Sequence, residues 1–102
     1  MAFVRIGKFT AKPDLINELR STYELDAIPK IRAASGNISA VLLEQHEAAG
    51  EFLAITIWKT RADAEAYDAS GQASAMVATV RHTFAGVPTL TTYEAYGIPS
   101  TT

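Results

Sequence analysis

The most regular pattern of apolar and polar positions lies between Glu51 and Tyr67, where a strand is followed at once by a helix. β-Branched and aromatic residues from Phe52 to Lys59 predict the strand, and both of its faces are apolar. Thr60 followed by Asp63 has the spacing of a helix capping box, so a helix is predicted from there through Tyr67. A strand with two apolar faces must be covered on both sides.

The rest of the chain divides by the same two periodicities, alternation for strands and helical spacing for helices. Besides the central strand, the pattern predicts strands at residues 3–10, 38–45 and 89–96. Further helices are predicted from Asp14 and from Gln72 to Ala85. Pro29 falls inside the first helical pattern, so a break or kink is expected near Ala27, with a short turn around Ile31.

The order strand, helix, strand, strand, helix pair, strand predicts an α+β fold of the ferredoxin-like split βαβ type. Its four-stranded antiparallel sheet carries the helices on one face. Because those helices cover only one side of the central strand, the other face predicts a partner subunit, as in a homodimer. One domain is expected over residues 1–97, followed by a loose C-terminal tail at 98–102.

Composition excludes several classes of function. The 102 residues are 48% hydrophobic and 20% charged, and no apolar run approaches the length of about 20 residues that a membrane span needs. The net charge of −2 and the lack of basic clusters argue against nucleic acid as a partner. The N-terminal MAFVRIGKF lacks the continuous apolar stretch of a secretory signal, so a cytoplasmic location is expected. Without cysteine, thiolate chemistry and disulfides are excluded.

Three quoted segments resemble one known family. The segments FLAITIWKTRADAEAY, VRIGKFTAKPDLINELR and IPKIRAASGNISAVLLE together resemble antibiotic biosynthesis monooxygenase domains over nearly the whole chain. The resemblance implies a dimeric α/β barrel, in which two four-stranded sheets face each other with the helices outside. It also implies small aromatic substrates, often quinols or polyketide-like phenols, that are oxidised by molecular oxygen, in some members without a metal or flavin. No cofactor is therefore expected.

The resemblance carries over one residue directly and leaves another open. A tryptophan at the position of Trp58 commonly lines a pocket in this superfamily, which implies that role here. Many members have a histidine nine residues later, where this chain has Tyr67. The haem-degrading branch also has an asparagine in the first strand, where this chain shows Arg5, Gly7 and Lys8. A haem-degrading activity is therefore not favoured.

Three residues are candidates for catalysis. Tyr67 has a hydroxyl that could hydrogen-bond or deprotonate a phenolic substrate, although a tyrosine at this place in a helix more often anchors the helix. His82 is a candidate because histidine is the side chain best suited to proton transfer near neutrality, and Arg81 beside it could stabilise a developing phenolate or superoxide. Helical spacing places Arg81 at the margin of the apolar stripe and His82 farther round, which favours an exposed His82.

The candidates for substrate binding are aromatic or sulfur-containing side chains at apolar positions. Trp58 could stack on an aromatic ring and donate its free indole N–H to a substrate oxygen, or it could simply close the seam between helix and sheet. For the other candidates, packing in the core is favoured over substrate binding. These further candidates are Phe52, Tyr23, Met76 and Phe84.

Three functions remain open from the sequence. The first is a cofactor-independent monooxygenase that oxidises a small phenolic or quinol substrate with O2. The second is a non-enzymatic dimeric barrel that binds a small hydrophobic ligand. The third is isomerase or decarboxylase chemistry in the same pocket. The two histidines have no HxH, HxxxH or HExxH spacing, so no metal site is expected.

Overall fold

The computed structural model describes residues 1–99 as a four-stranded antiparallel sheet with helices packed against one face. The spatial order β2-β3-β1-β4 places β1 and β3 in the centre, as the split βαβ prediction requires. The strands are β1 (Ala2–Thr10), β2 (Asn37–Glu44), β3 (Glu51–Trp58) and β4 (Thr89–Ala95). Each boundary lies within about two residues of the prediction, which is ordinary fraying of element ends.

The helices follow the predicted order. They are α1 (Ile16–Thr22), a π-helical turn (Tyr23–Ala27), α2 (Ile28–Arg32), α3 (Arg61–Ala69), α4 (Gln72–Val80) and a 3-10 turn (Arg81–Thr83). The helix predicted from Gln72 to Ala85 therefore ends earlier, at Val80, and tightens into the 3-10 turn. Residues 98 and 99 belong to no helix or strand, and the remainder of the predicted tail, residues 100–102, lies outside the described residues.

The irregularity expected near Ala27 is present, but it is a π-helical turn over Tyr23–Ala27 and not a break of the helical region at Pro29. The N–H of Ile28 bonds to the carbonyl of Tyr23, five residues back, and the chain continues as α2. A π-helical turn widens the backbone just before the proline, which has no N–H to give to the preceding turn. The widened turn also keeps Tyr23 and Ala27 buried, while Leu25 between them is exposed.

Alternate residues of the sheet face the helices and form the core. Across β1 and β3 the pairs on this face are Phe3 with Trp58, Arg5 with Thr56, Gly7 with Ala54, and Phe9 with Phe52. Phe9 is at the centre of an aromatic cluster, with ring centroids 5.7 Å from Phe52, 5.4 Å from Phe84 and 6.1 Å from Tyr23. This helix-facing side is the one that matters for the site.

No helix formed by residues 1–99 covers the opposite face of the sheet. Its central positions are apolar, and Leu43 and Tyr93 are about half exposed. The other apolar side chains of this open face are Val4, Ile6, Val41, Leu53, Ile55 and Ile57. The helices therefore account for one apolar face of the central strand but not for the other. Pairing of two chains through that second face stays a prediction.

The turn between β3 and α3 is held by the predicted cap. The Thr60 hydroxyl accepts a hydrogen bond from the backbone N–H of Asp63 at 3.1 Å, and it donates to the Asp63 carboxylate at 2.9 Å. Gly36 lies against this cap with a φ of 81°, and its carbonyl accepts from the N–H of Lys59 at 2.8 Å. These contacts fix the direction in which α3 leaves the sheet, and with it the position of Tyr67.

Candidate functional site

A cavity of about 250 Å³ lies between the helix-facing side of the sheet and the surrounding helices. Its floor is the centre of the sheet, where Gly7 and Ala54 are opposite each other and take up little room. The face of α4 predicted to be apolar forms much of one wall. The residues that line the cavity are Arg5, Gly7, Phe9, Tyr23, Ile31, Ala54, Thr56, Trp58, Tyr67, Ala73, Met76, Val77, Val80, Phe84, Pro88, Thr89 and Leu90.

Trp58 lines this cavity at the end of β3 and is fully buried. Its ring centroid lies 5.2 Å from that of Tyr67, and the two planes are tilted by 35°. The indole N–H donates to the Thr56 hydroxyl at 2.9 Å. The expectation that this N–H is free for a substrate oxygen is therefore wrong, and the ring is a wall of the cavity.

Two tyrosines at the cavity have hydroxyls that make no hydrogen bond to the described part of the chain. Tyr23 is 5% exposed and Tyr67 is 8% exposed, and neither hydroxyl has a hydrogen-bond partner within residues 1–99. Buried polar side-chain atoms without a partner are absent from the described part of the chain, so each hydroxyl oxygen keeps accessible surface. Both residues line the cavity, so these hydroxyls are candidate donors to a bound molecule.

The two phenols are stabilised in their neutral form. Burial, and then the proximity of Tyr67, raises the pKa of Tyr23 to about 12. The pKa of Tyr67 is also raised, first by burial and then by the negative charge of Asp68, while Arg5 opposes the change. A neutral phenol with a raised pKa is a hydrogen-bond donor at neutral pH and a poor proton acceptor. For Tyr67 this favours hydrogen bonding over deprotonation of the substrate.

Arg5 is a charged residue of the cavity lining that was not among the predicted site residues. Its side chain is only 17% exposed, lines the cavity and bonds to the carboxylate of Asp68 at 2.5 Å. The sequence contained one indication of this position, because Arg5 is two residues from Phe3 and four from Phe9 in β1. Residues separated by an even number of positions in a strand lie on the same face, so Arg5 must share the face of these two aromatic residues.

The other candidates divide between the cavity and its surroundings. Met76 and Phe84 line the cavity. Phe52 does not, because its ring stacks on Phe9 in the core. Arg81 and His82 are exposed on the 3-10 turn and do not line the cavity, and His82 pairs with Glu18 on α1. The structure thus brings Tyr67 together with Trp58, but it brings neither Arg81 nor His82 to them.

Two kinds of feature are absent from residues 1–99. No group of three or more histidine, aspartate or glutamate side chains is placed to hold a metal ion. No helix in the same residues is long and apolar enough to cross a membrane.

The fold and the cavity define a sheet-and-helix domain of ferredoxin-like type, with a small chamber between its two layers. The family model described as antibiotic biosynthesis monooxygenase matches residues 2–79. The chain therefore belongs to the antibiotic biosynthesis monooxygenase family. A search of the curated proteins found no match.

Solved structures share this fold at low sequence identity. A candidate antibiotic biosynthesis monooxygenase from Nitrosomonas europaea is similar with a TM-score of 0.85 and 19% identity, over 94% of this chain and 91% of that one. A conserved protein from Methanosarcina mazei gives a TM-score of 0.84 at 14% identity, over 94% of each chain. SnoaB, a cofactor-independent oxygenase from Streptomyces nogalater in a mutant form, gives 0.82 at 13% identity, over 95% of each chain.

Proposed function

We propose that this protein is a cofactor-independent monooxygenase that oxidises a small hydroxylated aromatic compound with O2. The observation that carries the proposal is the cavity beside Trp58, whose lining contains two buried tyrosines with hydroxyls that have no hydrogen-bond partner within residues 1–99. Apolar walls with a few placed polar groups are the usual form of a small-molecule site. Membership of a family that includes a structural relative described as a cofactor-independent oxygenase supports the same conclusion.

The volume of the cavity limits the size of the substrate. An engineered apolar cavity of about 150 Å³ accepts benzene. The 250 Å³ available here therefore suits a compound of about two fused rings. We propose that the ring packs between Trp58 and the α4 face that includes Met76, with its hydroxyl directed at Tyr67 and Tyr23.

The reaction balances without an external reductant when the substrate is a phenol that is oxidised to a quinone. One atom of O2 replaces a ring hydrogen and becomes the second carbonyl oxygen. The other atom leaves as water with the two hydrogens that the substrate loses. The substrate thus supplies all four electrons that O2 accepts. The role of the protein is to orient the ring, exclude water and stabilise the developing charge on oxygen.

Removing the Tyr67 hydroxyl is expected to lower kcat/KM by about 10- to 100-fold, the range for losing a hydrogen bond to a charged group. Tyr67→Phe keeps the ring against Trp58, and its hydroxyl has no protein partner to lose, so stability should hardly change. The measurement is oxygen uptake with a panel of one- and two-ring dihydroquinones and naphthols, with the quinone product identified by mass spectrometry.

The matched control for this substitution is Tyr96→Phe. Tyr96 is exposed, its hydroxyl donates to Glu94 at 3.2 Å, and it is remote from the cavity lining. Its loss should leave oxygen uptake unchanged. Equal rates for wild type and Tyr67→Phe would contradict the role given to this hydroxyl.

A second function, binding of a small aromatic ligand without reaction, is favoured by one observation. Neither histidine lines the cavity, and the two tyrosines there have raised pKa values, so these groups do not offer a base near neutrality. That observation also removes support from isomerase or decarboxylase chemistry, which requires such a base. Binding of naphthols without oxygen uptake by the wild type would decide for the ligand-binding function.

We also propose that two chains pair through the open face of the sheet, to form the barrel. The support is a contiguous set of apolar side chains that no helix covers, with Leu43 and Tyr93 about half exposed. Exposed apolar patches of this kind commonly mark interfaces. The expected result is a dimer mass by light scattering at micromolar concentration.

A charge placed at the centre of that face should separate the two chains. In Ile55→Lys the new charge lies on the open face, so the single chain can fold while the pairing is lost. Ala49→Lys, in the exposed hairpin loop, is the control and should remain dimeric. A monomer mass for the wild type would overturn the proposed pairing.

A further inference from the structure

We propose that the cavity binds its aromatic ligand as an anion, with Arg5 as the residue that holds the ionised oxygen. The inference rests on the proposed function only in placing the ligand in this cavity; it does not require a reaction with O2. It assigns a specificity-determining role to a side chain of β1 and a chemical class to the ligand: a planar aromatic of about two rings that carries a phenolate or carboxylate group.

The position of Arg5 is built into the sheet. The residue is central in β1, between Thr56 of β3 and Thr92 of β4. Its side chain therefore rises from the floor of the cavity toward the helices. The bond from its Nη1 to Asp68 at 2.5 Å ties the guanidinium to the end of α3, one residue after Tyr67. The cation is thus held beside the Tyr67 ring.

Most of the hydrogen-bonding capacity of Arg5 is unused. A guanidinium has five N–H donors in a fixed plane. Within residues 1–99 its side chain makes one hydrogen bond, to Asp68. The free donors belong to a side chain that is only 17% exposed and lines the cavity, so a ligand that enters the cavity can reach them. A carboxylate or phenolate oxygen is the partner that such donors bind most strongly.

The charges around the cavity also favour an anion. Arg5 is the single charged residue among the described residues of the lining, which includes no carboxylate from the sheet, from α3 or from α4. Its partner Asp68 is outside the lining and 46% exposed, so water screens the negative charge more than the positive one. The polar residues of the lining also include Tyr23 and Tyr67, whose raised pKa values keep their hydroxyls as donors.

The physical consequence is a change in the acidity of a bound phenol. A cation within about 4–6 Å stabilises the ionised form and lowers the pKa of a neighbouring acid by about 1 to 3. The apolar walls strengthen this interaction because they replace water around the pair. A phenol bound beside Arg5 should therefore ionise at a lower pH than the same phenol bound in a cavity without the charge.

The experiment measures binding under nitrogen, so that no oxidation interferes. The probes are 2-naphthol, whose naphtholate absorbs at longer wavelength than the neutral form, 2-naphthoate as the carboxylate counterpart, and naphthalene as the neutral reference. Absorbance titrations give the pKa of bound 2-naphthol, and calorimetry gives the affinities. The proteins are wild type, Arg5→Gln, Arg5→Lys and the control Arg61→Gln, which replaces an exposed arginine paired with Glu65 on α3.

The pKa of bound 2-naphthol should be lower in wild type than in Arg5→Gln by about 1 to 3. Arg5→Gln should lose about 10- to 100-fold in affinity for 2-naphthoate, with naphthalene affinity nearly unchanged. Arg5→Lys, which keeps the charge, should retain part of both effects and shows whether a failure of Arg5→Gln reflects misfolding. Arg61→Gln should match wild type.

Two results would overturn the inference. One is an Arg5→Gln protein that matches wild type in the pKa of bound 2-naphthol and in affinity for 2-naphthoate. The other is a wild type that binds naphthalene but neither oxygen-bearing probe. A wild type that binds the naphtholate and consumes no oxygen with any phenol would instead sink the proposed monooxygenase activity, while the anion site would stand.

Discussion

Trp58→Ala is expected to lower the free energy of unfolding by about 3–5 kcal/mol, the range for removing a large buried aromatic side chain. Trp58 is fully buried, contacts the Tyr67 ring and pairs across the strands with Phe3. Its removal would enlarge the cavity and leave the Thr56 hydroxyl without the donor that it now accepts from. Both effects act in the folded state and add to the lost burial.

Urea unfolding of wild type and variant, followed by circular dichroism, measures this loss. Trp58→Phe keeps an aromatic ring but loses the hydrogen bond to Thr56. Its free energy of unfolding should therefore lie between those of wild type and Trp58→Ala. Tyr96→Ala removes an exposed ring and should change stability by less than about 0.5 kcal/mol. A Trp58→Ala protein as stable as Tyr96→Ala would mean that the indole is not part of the core.

Gly36→Ala is expected to lower the free energy of unfolding by about 2–5 kcal/mol, through two separate causes. The first is the φ of 81°, which an alanine adopts at a cost of about 1–2 kcal/mol. The second is space, because an added Cβ would lie 2.5 Å from the Cβ of Asp63. Asp63 is part of the cap at the start of α3, so the helix itself would have to move.

Gly71→Ala separates the two causes. Gly71 has the same φ of 81°, but no atom lies within 4 Å of the position of an added Cβ. The backbone cost alone should therefore appear there, about 1–2 kcal/mol. Equal losses at the two glycines, measured by the same urea unfolding, would show that Asp63 does not crowd Gly36.

The arrangement of elements could be predicted because it follows from local pattern. The alternation in β1 and β3, the helical stripe of α4 and the Thr60 cap each depend on neighbours within a few residues. An irregularity near Ala27 was predicted from the same kind of signal. Its form was not, because whether the chain breaks or widens into a π-helical turn depends on how Tyr23 and Ala27 pack in the core.

The site could be predicted only in part. Trp58 and Tyr67 lie on consecutive elements and were expected near one pocket, and both line the cavity. The prediction of a free indole N–H was wrong, because this group donates a hydrogen bond to the hydroxyl of Thr56, two residues away on the same face of the strand. Arg5 was missed because a charged residue in a strand usually faces water. Alternation shows that Arg5 shares a face with Phe3 and Phe9, but it does not show which face the helices cover.

By itself the sequence determined the order of strands and helices, the two apolar faces of the central strand, the helix cap, and the family. Only the tertiary structure decided that Arg5 of the first strand, Tyr23 of the π-helical turn and Tyr67 of the third helix meet at one cavity. It also decided that His82 does not. The physical reason is that local periodicity determines which face of one element is apolar. Packing determines which faces of different elements come into contact, and those elements are up to about 60 residues apart in the chain.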